Sequence, residues 1–396
     1  MINRHLTKII NQYNQNRLMS VDVLRGVAIF MMILVNNPGS WSHQYAPLAH
    51  AQWHGWTLTD LVFPFFLFIV GISIALSFSS SKFKTKTTWQ QHQILLTRTA
   101  KLILLGWFLG LFYYNFYNPE FSWINDRLLA IRWFGVLQRI ALVYLVCSLL
   151  FIYCKPSTRF TLLLMILISY WIAMMLVSYQ DSAGNIYQGL LDADNNLAAY
   201  IDHHLFGQTH LYHKNKLPFA SDPEGLLTTL PAIASGLSGV LIAEYVLLKQ
   251  DKIHQIKQLL IIGILSVVMG YLLSLSIPVN KNLWTPSYVF LSSGLAILTL
   301  AFCIYLLEIK KQQKWSAPFI VFGSNAIALF MLSGVVARII MMIKVSDLSL
   351  KQHIYSWLEW LTPYDKTNSL IFALLFMLVM YLPIYWMYKR QLFWKV

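Results

Sequence analysis

Ten apolar runs, at about 20–36, 60–79, 98–117, 132–153, 159–178, 226–248, 257–277, 285–307, 317–342 and 368–388, divide this chain. Nearly all approach the roughly 20 residues that a helix needs to cross a bilayer core; the first is short unless it reaches back to about Leu18. A backbone inside hydrocarbon must satisfy its own hydrogen bonds, and continuous rather than alternating apolar runs do so as helices. Of 396 residues 57% are hydrophobic and only 12% charged. A soluble protein of that length has no interior large enough for so much apolar surface. The expectation is an all-α integral membrane protein, a bundle of about ten transmembrane helices forming one polytopic domain over 1–396, with a long extracytoplasmic loop region at 179–225.

Basic residues orient the runs. Arg4, Lys8 and Arg17 precede the first, and Lys82, Lys84 and Lys86 follow the second. Lys155 and Arg159 stand between the fourth and fifth, and Lys249, Lys252 and Lys257 after the sixth. Lys310, Lys311 and Lys314 follow the eighth, and Lys389, Arg390 and Lys395 the tenth. These segments alternate onto one side, read as the cytoplasm. Both termini are then cytoplasmic, as an even number of spans requires. The net charge of +14 therefore reports membrane orientation, and the bilayer rather than a nucleic acid is the expected partner. No cleavable signal is expected at the start of the chain. No internal repeat is visible, nor the corresponding broken helices in two halves that mark many secondary transporters.

The segment His50-Ala-Gln-Trp53-His54-Gly55-Trp56-Thr57-Leu-Thr59-Asp60 sets two imidazoles and a carboxylate just outside the second run. Ionisable groups at a membrane edge are costly and usually functional. His50 either takes a proton or an acyl group, or serves only as an interfacial hydrogen-bonding residue. Asp60 either orients that imidazole or caps the second span behind Thr57, and both roles can hold together. His54 and His43 read as structural or rim residues. A zinc site is not expected, because no Glu follows His50 as a zincin helix requires and Pro47 and Gly55 break the helix that the spacing would need. Cys147, Cys154 and Cys303 have no metal or redox spacing and read as core fillers.

Charges also sit within the runs: Arg25 in the first, Arg98 and Lys101 opening the third, Gln138-Arg139 in the fourth, and Arg338 in the ninth. A buried guanidinium needs a partner. Asp22 suits Arg25, but acidic residues are too scarce to serve the others. An anionic ligand such as a phosphate is the alternative; snorkelling to headgroups suits Arg98 and Lys101 but not Arg139. A third group, on the opposite side, holds Asn36, Asp222, Glu224, Trp53, Trp56 and Trp284. Its carboxylates either bind an amino or hydroxyl group or cap the sixth span, and its indoles either stack on sugar rings or form an interfacial belt.

Arg17-Leu-Met-Ser-Val-Asp22-Val-Leu-Arg25-Gly26, the Asn36 position, the His50 to Pro64 block, Gly135-Val-Leu-Gln138-Arg139, Tyr200-Ile-Asp202, His210-Leu-Tyr212, Asp222-Pro-Glu224-Gly225 and Val279-Asn-Lys-Asn-Leu-Trp284 resemble, in order, the heparan-α-glucosaminide N-acetyltransferase family. The bacterial members are most similar. The resemblance implies an enzyme that takes acetyl from cytoplasmic acetyl-CoA and delivers it to a glucosamine-type amine on the far side. It implies His50, Asp60 and Asn36 as the catalytic group, His50 acting as base or transient acetyl carrier and Asn36 as oxyanion donor. It further implies Arg25, Gln138 and Arg139 along the acetyl-CoA path; Arg98, Lys101 and Asn325 are expected to join them there, and Trp53, His54, Asp222, Glu224 and Trp284 are expected toward the acceptor. No metal is implied; a homodimer is, because other members form dimers. The expected location is a bacterial inner membrane with His50 facing the periplasm. The loop at 37–49 departs from the lysosomal member in length and composition, which leaves the acceptor open among a periplasmic amino sugar, a peptidoglycan fragment and an imported glycan. Two other functions fit parts of the pattern: an envelope glycan O-acetyltransferase of the acyltransferase-3 kind, and a transporter of glycans or organic anions along the Arg-lined path.

Overall fold

The computed structural model describes residues 2–13, 18–247 and 251–394. Arg17, Lys249 and Lys395 lie outside the described residues, as do the side chains of Arg4 and Lys8. In chain order the helices are α1 (Ile2–Asn11), α2 (Met19–Asn36), α3 (Leu58–Phe78), α4 (Ser81–Lys84), α5 (Thr88–Leu111), α6 (Val136–Tyr153), α7 (Pro156–Leu176), α8 (Leu197–Phe206) and α9 (Leu226–Ile242). They continue with α10 (Lys252–Ser274), α11 (Pro286–Ile304), α12 (Ala317–Ser324), α13 (Ala326–Met342), α14 (Leu350–Glu359) and α15 (Asp365–Lys389). Two small antiparallel hairpins, β1 (Ser178–Gln180) with β2 (Ile186–Gln188) and β3 (Lys344–Val345) with β4 (Leu348–Ser349), complete the set.

Among the described residues nine helices are long and apolar enough to span a bilayer: α2, α3, α5, α6, α7, α9, α10, α11 and α15. The segment from Lys314 through α12 and α13 passes the same test only as a pair bent by 75°, and counts as a tenth span where the pair is taken as one broken span. The expected helical bundle of about ten spans is thus the fold. Burial sorts the spans into layers: α2, α3 and α9 are 72–78% buried along their apolar windows, whereas α10 is 17% and α5 22%. Apolar side chains that find no protein neighbour are satisfied by lipid tails, so the second group forms the lipid-facing wall. The central crossing, α3 on α9, depends on missing side chains. A Cβ on Gly71 would fall 1.9 Å from the Gly236 carbonyl oxygen, and one on Gly239 1.9 Å from that of Phe68.

Two boundaries differ from the sequence expectation. The third span is 88–111 rather than 98–117, because the polar turn after Thr87 is capped by reciprocal Thr87–Gln90 hydrogen bonds. Hydropathy follows the bilayer, whereas a capped helix continues beyond it. The ninth run, expected to be continuous, breaks at Asn325, whose φ of −132° and ψ of 44° leave the helical region. Its amide closes on the chain end instead, donating to the Leu392 carbonyl (3.0 Å) and accepting from the Trp394 N–H (2.8 Å).

Successive spans alternate in direction, so the bundle has a lysine-rich end (Lys82, Lys84, Lys155, Lys310, Lys311, Lys389) and a histidine-rich end (His50, His203, His204, His210, His213). Residues 178–225 add a cap at the histidine end around a small core of Tyr170, Met174, Tyr179, Leu197 and Phe219. Cys147 and Cys303 are buried and all three cysteines are free thiols.

Candidate active site

His50 sits in an irregular loop after a short 3-10 turn at Ala46–Leu48. The loop is pinned where Gly55 N–H donates to the Val279 carbonyl (2.7 Å), Asn280 Nδ2 to the Trp53 carbonyl (2.9 Å) and the Trp53 indole to the Leu191 carbonyl (2.7 Å). Asp60 is the third residue of α3 and does two things at once. Its Oδ2 accepts from the backbone N–H of Thr57 (3.1 Å) and Ala51 (3.0 Å), satisfying the start of the helix. Its Oδ1 lies 2.7 Å from His50 Nδ1. A carboxylate only accepts, so Nδ1 carries the imidazole proton and Nε2 keeps its lone pair. Tyr288 hydroxyl donates to the Asp60 carbonyl (2.5 Å), holding the backbone beneath the pair.

The pair opens on a cavity of about 380 Å³ at the histidine-rich end, which also takes in Asn36, Trp53, Glu224 and, unassigned by sequence reading, Arg132 and Lys281. Lys281 Nζ stands 3.5 Å from Asp60 Oδ1 and 3.0 Å from His50 Nδ1. Arg132 reaches both Asp222 and Glu224, its Nε meeting Asp222 Oδ2 at 2.7 Å. Burial alone would raise Glu224, but the nearby guanidinium groups of Arg132 and Arg139 hold it below the ordinary carboxylate range. Asp222 is buried, and its remaining acceptors take the N–H groups of Tyr212 (3.1 Å) and Glu224 (2.9 Å). Both of its oxygens are thus bonded within the protein.

Four residues assigned by sequence reading sit elsewhere. Trp284 is 1% exposed, packed edge-on to Phe63 and Tyr288, and donates to Ser235 Oγ (3.0 Å). It has no face for a sugar. Arg139 is fully buried beneath that indole and donates to Thr228 Oγ1 and the Gly225 carbonyl. The acids acting on it are Glu224, Asp222 and Asp202, so the acids too scarce within the spans come from α8 and the loop that precedes α9. Gln138 is buried against Gly106. His54 is exposed beside Asn280, 3.3 Å away.

A second, larger cavity of about 870 Å³ opens at the lysine-rich end and takes in Arg25, Arg98, Lys101, Lys82 and Lys86, with Asn325 and Trp394 at its edge. Arg25 donates to Asp22 Oδ1 (2.8 Å) and Ser73 Oγ (2.8 Å). Arg98 lies 4.4 Å over the Tyr144 ring, with its buried Nε making no hydrogen bond. The volume falls in the 300–1,000 Å³ range of small-molecule sites, and five cations in one concavity suit an anion carrying several phosphates. Lys82 and Lys86 read in the sequence only as orientation signals. Their place on a cavity wall depends on how α4 folds back.

Both cavities are built on α2, α3 and α6. On α3, Phe63 faces one and Phe66 the other; on α6, Val136 faces one and Ile140 the other. Three or four helical residues rise only about 4.5–6 Å. An apolar septum of roughly one helical turn on α3 and α6, and about two on α2 between Arg25 and Met32, thus separates the two cavities.

Asp202 carries one further observation. It is 1% exposed, Oδ1 accepts from Leu226 N–H (2.9 Å), and Oδ2 is buried without a hydrogen-bond partner. Burial lifts its carboxyl to about 7. A raised folded-state value means that the folded form is favoured while the group is protonated, and that this stability is lost as pH rises from about 4 through 7. Asp202→Asn is expected to remove that dependence. Its thermal midpoint relative to the parent should climb with pH over this window, by the equivalent of a few kcal/mol at most. A difference in midpoint that does not vary between pH 5 and 8 would argue against a buried carboxyl.

Comparison with known proteins places this geometry. The family model described as heparan-alpha-glucosaminide N-acetyltransferase, catalytic, matches residues 17–200, which include His50, Asp60 and the α2, α3 and α6 walls of both cavities. The chain is 28% identical to the human protein named heparan-alpha-glucosaminide N-acetyltransferase, over 96% of this chain and 60% of that protein. It is likewise 28% identical to the mouse protein of the same name, over 96% of this chain and 61% of that protein. The chain therefore spans about 60% of the length of the curated relatives it matches.

Proposed function

We propose that this chain, a relative of the heparan-alpha-glucosaminide N-acetyltransferases along nearly its whole length, is a transmembrane acetyltransferase. It takes acetyl from acetyl-CoA at the lysine-rich end and gives it to the amine of a glucosamine-type sugar at the histidine-rich end. The observation that carries this reading is the stacking of a cationic cavity and the cavity of the His50–Asp60 pair on the same three helices, their nearest walls about one helical turn apart on α3 and α6 and about two on α2. Basic flanks support a cytoplasmic lysine-rich end, and with it a His50 on the periplasmic face of a bacterial inner membrane.

The chemistry follows from the side chains. Arg98, Lys101, Lys82 and Lys86 hold the phosphates of the donor, and its thioester crosses the septum into the cavity of His50. The acceptor nitrogen attacks the thioester carbonyl while His50 Nε2 takes the amine proton. The carbon–sulfur bond breaks, and the proton passes to the departing thiolate, leaving an N-acetyl sugar and free CoA. Asp60 holds Nδ1–H and stabilises the imidazolium as it forms. Asn36, at the end of α2 and lining the same cavity, donates to the carbonyl oxygen as it gains charge. The same Nε2 lone pair takes the acetyl group itself in a two-step transfer; exchange of labelled CoA into acetyl-CoA without acceptor identifies that route.

The test is a proteoliposome assay with acetyl-CoA on the lysine-rich face and glucosamine or its oligosaccharides on the other. N-acetyl product with stoichiometric free CoA is expected. Ester product on a hydroxyl acceptor would instead make the chain an O-acetyltransferase. Sugar movement without acetyl-CoA would make it a transporter. The septum gives a sharper outcome: Phe66→Trp, which adds bulk between donor and imidazole, is expected to slow transfer by about 10²-fold.

A further inference from the structure

Lys281 is the one cation at the histidine-rich cavity not engaged by Asp222, Glu224 or Thr228 among the described contacts. Arg132 lies across Asp222 and Glu224, and Arg139 is bound to Thr228 and the Gly225 carbonyl. Asp202 bonds only the Leu226 N–H and touches none of these cations, so three cations face three carboxylates: Arg132, Arg139 and Lys281 against Asp222, Glu224 and Asp60. Lys281 is thus the charge that balances Asp60, at 3.5 Å. Its 3.0 Å approach to His50 Nδ1 follows from two donors converging on one carboxylate oxygen, because Nδ1–H and an ammonium cannot bond each other.

We infer that Lys281 is a third member of the His50–Asp60 group, a positioning residue whose ammonium offsets the Asp60 charge so that the imidazole stays a neutral base facing the acceptor. The inference rests on the acetyl-transfer reading above for its purpose, but not for its measurement. The charged and titratable groups around Lys281 are Asp60 on α3, His50 on its loop, Glu224 before α9, Arg139 on α6, and Arg132 and His213 across the cavity. Burial lowers the Lys281 ammonium from its ordinary range, while Asp60 and Glu224 oppose that fall, as a lysine held between carboxylates should behave.

The sign of the effect is fixed. Removing the positive charge leaves Asp60 unbalanced beside the ring, the imidazolium becomes more stable, and His50 needs a higher pH to be neutral. Diethyl pyrocarbonate reacts with neutral imidazole, so its rate at the His50 peptide, read by mass spectrometry against pH, titrates this residue without any turnover. In Lys281→Met the midpoint is expected to move up by about one pH unit or more. Lys281→Gln, which keeps length and a donor, should move it likewise, whereas Lys281→Arg should leave it near the parent. The acid limb of kcat/KM should follow the same shifts while acetyl-CoA affinity holds. In the Asp60→Asn/Lys281→Met double variant, which removes both charges, the midpoint should return toward the parent. A midpoint unmoved in both neutral variants would overturn the inference, even if they transfer acetyl slowly. Intact shifts in a protein that transfers no acetyl would instead overturn the functional reading alone.

Discussion

Alanine at position 50 is expected to lower acetyl transfer by about 10²–10⁴-fold, the range of a lost general base, and by more if the ring carries the acetyl group. Folding should survive. The His50 side chain is 44% exposed and its loop is held by backbone bonds that do not involve the ring. Asp60 keeps the N–H groups of Ala51 and Thr57, so the start of α3 stays capped. Acetyl-CoA affinity should also survive, because the cationic cavity lies beyond the septum and His50 does not line it. A purified His50→Ala protein with a parental thermal midpoint, parental acetyl-CoA binding and no N-acetyl product is the expected set. Transfer at the parental rate would remove His50 from the chemistry.

The second large effect is on assembly. Valine at position 239 places a branched side chain where a Cβ alone falls 1.9 Å from the Phe68 carbonyl oxygen. The obstacle is backbone on both helices, so no rotamer relieves it. Helices in lipid associate through close packing, since moving apolar side chains from lipid to protein offers little driving force. Forcing α3 and α9 apart should cost more than about 3 kcal/mol and would displace Asp60, Phe63 and Phe66 together. Loss of monodisperse protein, or a fall of many degrees in thermal midpoint, is expected for Gly239→Val, with Gly239→Ala intermediate. A parental midpoint for the valine variant would mean that the two helices do not cross at this distance.

Much of the site was legible because it is local. Asp60 follows Thr57 by three residues and precedes an apolar run, so its capping role reads from spacing, and His50 lies ten residues earlier on the same short excursion. Arg25 and Asp22 are three residues apart on one helix, and their ion pair reads the same way. Arg132 and Lys281 were not legible. Arg132 is 90 residues from Asp222 and Lys281 is 231 from His50, and neither stands in a spacing that has meaning within one element. Trp284 misled for the complementary reason: an indole beside a polar turn reads as exposed, but here it fills the space between α3 and α11.

The sequence by itself determined the helical class, the number and alternation of spans, and which end carries lysine and which histidine. Each of these follows from hydrocarbon's refusal of unsatisfied backbone and bare charge, which acts residue by residue along the chain. Only tertiary structure decided which charges meet, that Arg139 lies under Trp284 rather than on the cationic cavity, and that the two cavities back onto one another across a single turn of α3. Those outcomes depend on how closely helices cross and in which rotation, which glycine contacts such as Gly71 and Gly239 set, and no periodicity within one span encodes its neighbour's rotation.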